Sequence, residues 1–355
     1  MEIKELFDFA VKNNASDLHL MPESYPILRI DGTLTAISSF PKLSKEEVEE
    51  MILGLLNKEQ KDVLLTNKEY DFSIAYGGGI FGDLGRFRVN AYFQRGALSG
   101  AFRFLSKNIK SIEELNLPKI CHSFANLKQG LILVTGPTGQ GKSTTLASII
   151  NEINLAQPVH ILTIEDPIEY VYPTGKSIIS QRELHGDTNS WDMALRSSLR
   201  EDPDVVLIGE MRDADTMAAA MTIAETGHLV FSTLHTNSAS QSIDRIIDSF
   251  VDTQQNQIRT QLSFVLKGII SQRLITQITG GRIPAVEVLI GNNAIASNIR
   301  DGKTHLIDSI IQTSSDIGMI SLDNSLAELV MKGAITIETA KQYSLHPDEL
   351  LRLVQ

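Results

Sequence analysis

A run of apolar residues, LILV (131–134), is followed by Gly136-Pro137-Thr138-Gly139-Gln140-Gly141-Lys142-Ser143-Thr144 and then by the helical pattern TLASIINEI. An apolar strand entering a G-x-x-x-x-G-K-S loop that opens a helix is the arrangement that cradles a phosphate chain. The glycines let backbone N–H groups close around phosphate at a helix N-terminus. Lys142 is placed to reach the terminal phosphates, and the Ser143 hydroxyl to ligate Mg2+. A strand that must end at a buried loop and restart as a helix commits this part of the chain to a βαβ layout with a mainly parallel sheet.

Short β-branched runs alternate with helical patterns from 130 onward: LILVT, VHILTIE, DVVLIGE and HLVFSTL, with the segments after Lys142, WDMALRSSL and ADTMAAAMTIAET between them. In open α/β sheets ligands bind beyond the carboxyl ends of the strands, so polar groups at those ends are the site candidates. Glu165, Asp166 and Glu169 follow one run, Glu210 follows another, and His228 and His235 flank a third. Hydrolysis of a terminal phosphate needs a carboxylate on the attacking water, an acid near the magnesium and a polar sensor of the γ-phosphate. Glu210 is expected in the first role, with Glu165 beside it and Asp166 joining Ser143 at the metal. Glu169 and His228 are expected on the nucleotide and His235 in catalysis. No cation of this part is obviously placed to meet transition-state charge.

The 355 residues, 42% hydrophobic, suit two domains rather than one. Lys plus Arg total 32 against 43 Asp plus Glu, a net of −11, which disfavours nucleic acid as a partner. Residues 1–110 hold 14 basic and 15 acidic side chains, so nearly all the excess acid lies further on. One cysteine, Cys121, excludes an internal disulfide or a multi-cysteine zinc site and fits a reducing compartment. The acidic start MEIKELFDFA is no signal peptide, and no run approaches the ~18–20 apolar residues of a membrane span, so a cytoplasmic location is expected.

Residues 1–105 read as a small α+β unit of four or five strands with helices on one face. A helix over MEIKELFDFAVKNN precedes the alternating runs DLHLM and YPILRIDG, with Asp31-Gly32 as a turn. Ser44-Lys45-Glu46-Glu47 reads as a capping box, and a loop with Gly77-Gly78-Gly79 leads to FRVNAYFQR and GALSGAFRFL. Arg86 and Arg88 share a strand face, with Arg103 on the next strand. Polar residues and Pro118 make 106–119 the expected linker, leaving 120–355 as the second domain.

Taken together, ASDLHL, GRFRVNAYFQR, GPTGQGKSTTLASII, ILTIEDPIEYVY, ALRSSLREDPDVVLIGEMRDADT and AETGHLVFSTLHTNSA resemble, in order, the blocks of the secretion ATPase superfamily. Within it the chain resembles the type IV pilus retraction, or twitching motility, ATPases. The resemblance spans essentially the whole chain. It implies a PAS-like N-terminal domain and a RecA-like motor domain with C-terminal helices, assembled as a homohexamer that hydrolyses ATP with Mg2+. Arg86, Arg88 and Arg103 then approach the phosphates as catalytic cations. The implied partners are an inner-membrane platform protein at the pilus base, the pilin polymer indirectly, and a second retraction ATPase.

One block departs from the family pattern. Retraction ATPases carry AIRNLIREGK, and residues 294–303 here read AIASNIRDGK. The alternatives are therefore an accessory retraction paralogue, or a pilus assembly or type II secretion ATPase. Those last relatives commonly carry a tetracysteine zinc insert, which one cysteine cannot build.

Overall fold

The computed structural model describes residues 2–30, 33–77, 85–106 and 108–354. The chain divides into two compact units, one of residues 1–108 with 167–171, the other of 109–166 with 172–355. The Asp31-Gly32 turn and Gly78-Gly79 lie outside the described residues.

The first unit contains α1 (Ile3–Lys12), β1 (Asp17–Leu20), β2 (Ile27–Ile30), β3 (Thr33–Ala36), α2 (Lys45–Leu53), α3 (Lys58–Asn67), β4 (Glu69–Tyr76), β5 (Gly85–Gln94) and β6 (Ala97–Ser106). Among the described residues its strands form one antiparallel sheet of six, in the order β3-β2-β1-β6-β5-β4. The expected four or five strands fall short of these six: β3 is exposed throughout and carries no apolar period, whereas β4 does alternate, with Tyr70, Phe72, Ile74 and Tyr76 toward the core and Glu69, Asp71 and Ser73 between them. Along β5 the odd positions Phe87, Val89 and Ala91 are buried while Arg86, Arg88 and Asn90 face the other side. Leu6, Phe7 and Ala10 of α1 are buried, and Phe7 stacks on Phe87 with ring centroids 4.2 Å apart. The expected capping box opens α2, with Glu47 N–H donating to Ser44 Oγ at 3.2 Å and Ser44 N–H to Glu47 Oε2 at 2.8 Å.

The second unit runs α4 (Ile120–Ala125), β7 (Gly130–Thr135), α5 (Lys142–Ala156), β8 (His160–Glu165), β9 (Ile178–Glu183), α6 (Trp191–Ser198), β10 (Val205–Ile208), α7 (Ala214–Glu225) and β11 (Leu229–Leu234). It continues through α8 (Ala239–Asp248), α9 (Asp252–Val265), β12 (Leu266–Thr276), β13 (Arg282–Ile290), α10 (Asn293–Arg300), α11 (Ile307–Thr313), α12 (Leu322–Met331), α13 (Ile337–Tyr343) and α14 (Pro347–Val354). Its sheet has the order β13-β12-β7-β11-β10-β8-β9, parallel except for β13, which returns antiparallel along β12. Strands β7, β10 and β11 are buried at every position, as strands covered on both faces must be. Ile112 and Leu117, inside the expected linker, are 1% and 8% exposed and join this core. The passage between units is therefore shorter than 106–119, because two apolar residues in that polar stretch are buried.

Candidate active site

Register brings the strand ends together. Thr135 pairs with Leu234, Ser232 with Ile208, and Ile208 with Ile164. The residues just beyond, Gly136, His235, Glu210 and Glu165, therefore lie along one edge of the sheet.

The phosphate loop is shaped by backbone that only glycine tolerates. Gly136 has φ +142°, and a Cβ there would stand 2.5 Å from the Gln272 carbonyl oxygen. Gly139 and Gly141 have φ +79° and +81°, and Gly141 is the N-cap of α5 without a side-chain cap. Pro137, Thr138 and Gln140 complete the loop, with Lys142, Ser143 and Thr144 in the first turn of α5. Lys142 is 8% exposed, and its ammonium donates to the carbonyls of Gly136 at 2.8 Å and Pro137 at 3.1 Å. Helix α5 thus directs its N-terminus and this cation toward one place, which favours an anion.

Around that loop the catalytic candidates separate by position. His235 Nδ1 is 3.4 Å from Lys142 Nζ and 3.5 Å from Thr138 Oγ1, while its Nε2 is 3.4 Å from Glu210 Oε2. Glu210 is clamped from both sides by one residue: Thr233 Oγ1 donates to the Gly209 carbonyl at 2.7 Å, and Met211 N–H donates to the Thr233 carbonyl at 3.1 Å. The Arg212 guanidinium donates to Glu210 and holds its carboxyl below the usual carboxylate range, against the opposing effect of burial. Glu210 is therefore an ionised acceptor at neutral pH. Glu165, 8% exposed, accepts from Thr163 Oγ1 at 2.7 Å and Gln181 Nε2 at 3.3 Å. Asp166, next in sequence, is exposed and near enough to Arg212 to act on its charge.

The remaining candidates are His228 of the second unit and Glu169, Arg86, Arg88 and Arg103 of the first. His228 precedes β11, six residues and roughly 20 Å from the strand end where the loop lies. Its Nδ1 is 3.0 Å from both Thr226 Oγ1 and the Ile223 carbonyl, so it closes the end of α7, and the fold does not bring it to the phosphate loop of its own unit. Glu169 falls in 167–171, which groups with the first unit. The arginines lie on the polar face of the first unit's sheet, where register sets Arg29, Asp17, Arg103, Arg88 and Ser73 side by side across five strands. Arg103 Nε donates to Asp17 Oδ1 at 2.9 Å, which offsets the charge of the neighbouring Arg88, and Arg86 donates to the Ser73 hydroxyl.

Several supporting groups have weak sequence signals. Arg212 lies two residues past Glu210, and Arg273 Nη1 comes within 3.6 Å of where a Gly136 Cβ would be, so the second unit does hold guanidinium groups at this edge. Gln272 ties β12 to the phosphate loop, donating to the Gln140 carbonyl at 2.7 Å and accepting from Thr145 Oγ1 at 2.7 Å. In return Leu274 N–H donates to Gln140 Oε1 at 2.7 Å. The polar pair Gln272-Arg273 inside the apolar run GIISQRLI, and Glu287 inside AVEVLI, are the signals available, because a polar group within a buried strand needs a partner.

The sequence profile of type II/IV secretion system proteins matches residues 102–332. The chain belongs to that family. By membership it is an ATPase, and its mixed α/β fold ends in a RecA-like ATPase domain. It is 44% identical to the type IV pilus retraction ATPase PilT of Pseudomonas aeruginosa, covering 98% of this chain and 99% of the relative. It is equally 44% identical to a twitching motility protein of Neisseria gonorrhoeae, over 92% of this chain and 86% of that one. The crystal structure of the pilus retraction motor PilT with bound ADP superposes with a TM-score of 0.92 at 45% identity, covering 99% of both chains. No helix among the described residues of this ATPase is long and apolar enough to cross a membrane.

Proposed function

We propose that this ATPase powers type IV pilus retraction and twitching motility by hydrolysing ATP. The supporting observation is the near-complete likeness to the retraction motor in a chain that keeps Lys142, His235 and Glu210 within reach of one another. In this reading the loop 136–144 holds the phosphates, Lys142 neutralises the terminal ones, and Glu210 orients and deprotonates the attacking water. Glu165 supports Glu210, and His235 reports the terminal phosphate to it. Glu169 contributes to nucleotide binding.

The donors on offer for Mg2+ are the Ser143 hydroxyl and the Asp166 carboxylate. Both are hard oxygen ligands of the kind this ion takes, with phosphate oxygens completing its shell. When bound, the ion supplies charge that offsets what develops on the transferring phosphoryl group.

The working form is a homohexameric ring at the cytoplasmic face of the inner membrane. Arg86, Arg88 and Arg103 supply further positive charge to the phosphates in that ring. The ring acts on an inner-membrane platform protein and through it on the pilin polymer. The altered segment 294–303 bears on whether a second retraction ATPase assists: Ile295 and Ile299 of α10 are buried, while the replaced positions Ala296, Ser297 and Asn298 are only half-buried. The replacements thus spare the packing and change the face available to a partner.

The test is a deletion strain. Hyperpiliated cells that no longer twitch support retraction; bald cells would assign the chain to pilus assembly instead.

A further inference from the structure

The segment from His235 to α8 is held at two points by the β12–β13 hairpin. Arg273 Nη2 donates to both the carbonyl oxygen and Oδ1 of Asn237, each at 3.0 Å. Two residues on, the N–H of Ala239, the first residue of α8, donates to Glu287 Oε1 at 2.7 Å. That N–H has no partner inside the helix, and a carboxylate at this end of a helix is favoured by its dipole. Glu287 is 5% exposed in the middle of β13, where an acid is costly unless it is bonded.

The same hairpin holds the other side of the site. Gln272, next to Arg273, bonds the phosphate loop at Gln140 and helix α5 at Thr145. Opposite Glu287 on β12 is Ser271, whose hydroxyl is 2.8 Å from Thr135 Oγ1 at the end of β7. One hairpin therefore contacts both the loop that precedes Lys142 and the segment that carries His235.

We propose that Glu287 and Arg273 are positioning residues, which hold His235 at the distance from Lys142 and Glu210 at which turnover occurs. They touch neither nucleotide nor water in this scheme; they act through His235. The proposal rests on the assignment of His235 to the ATPase site. Small displacements of a catalytic group cost rate far more than affinity, because the reacting geometry is lost while the phosphate cradle remains.

The test is a double-mutant cycle on the full-length protein, with steady-state ATP hydrolysis and nucleotide affinity measured for Glu287→Leu, His235→Ala and the pair. Glu287→Leu is expected to lower kcat by about tenfold with ATP affinity within about twofold, and to add nothing in the His235→Ala background. Glu287→Gln, which keeps an acceptor for Ala239, is expected to restore most of the lost turnover. Arg273→Gln, altering the more exposed member, enters the same cycle and decides the matter should Glu287→Leu not fold. Losses that multiply in the double variants would overturn the proposal, since a general structural defect is indifferent to His235. Normal turnover in His235→Ala would remove both the assignment of His235 and the proposal built on it.

Discussion

His235 Nε2 lies 3.4 Å from Glu210 Oε2, so a group at the end of β11 touches the carboxylate that follows β10. The same imidazole stands 3.4 Å from the Lys142 ammonium through its other nitrogen. One imidazole therefore links the Lys142 ammonium to the Glu210 carboxylate, the route by which the proposed terminal-phosphate contact would reach the proposed base. Thr233 bonds the peptides on either side of Glu210 from the strand that leads into His235, so one strand end positions both residues.

Replacing Glu210 by Gln keeps its size and removes its charge. Phosphate release is expected to fall by about a hundredfold or more, with ATP binding largely intact. Turnover near that of the unmodified protein would exclude Glu210 as the base.

Arg212 is the main reason that the Glu210 carboxyl ionises below its ordinary range. Without the guanidinium, burial acts in the opposite direction and the carboxyl rises. In Arg212→Gln the acid limb of the kcat/KM profile should accordingly move to higher pH. An unmoved limb would show that this limb is not set by Glu210.

Gln272→Ala leaves the Thr145 hydroxyl and the Gln140 carbonyl without their partner on β12. A cost of about 1–3 kcal/mol in unfolding free energy is expected, together with weaker ATP binding as the loop loosens. Calorimetric melting and nucleotide titration measure the two; lost stability at unchanged affinity would make Gln272 a packing residue alone.

Burial pushes the Glu287 carboxyl up from its ordinary value of 4.5 to about 7, with Asp308 and Asp323 adding to the rise and the bond from Ala239 and the charge of Arg273 opposing it. The folded state then binds more protons than the unfolded one between these values. Stability from this group is full below pH 4.5 and is lost as pH rises to about 7, by up to about 3 kcal/mol. Denaturant unfolding should show Glu287→Gln gaining on the unmodified protein between pH 5 and pH 8. A constant difference across that range would contradict the shift.

Arg88 is paired in register with Arg103 across β5 and β6. If these arginines act on nucleotide within the ring, Arg88→Ala should lose turnover chiefly in assembled protein. Mixing it with Lys142→Ala should recover part of the activity when the cation crosses between subunits. Absence of recovery would confine the arginine to its own chain.

The phosphate loop, the strand ends and the acids beyond them were legible because each rests on local chemistry: glycine backbone, an apolar strand, a helix start. Periodicity could not reveal β3, because a strand exposed throughout carries no apolar alternation, whereas the alternation of Tyr70, Phe72, Ile74 and Tyr76 does mark β4. His228 and His235 look alike in sequence, each next to the same apolar run. Only the direction of β11 separates them, since a parallel strand has one end at the loop and the other far from it.

The sequence alone thus determined that a nucleotide-binding βαβ motor follows a small α+β unit, and which side chains could serve it. Tertiary structure decided which of them meet. Arg212, Gln272, Arg273 and Glu287 acquire their roles from strand order and register, because a polar group in a buried strand declares that it needs a partner but not which residue the fold will set beside it.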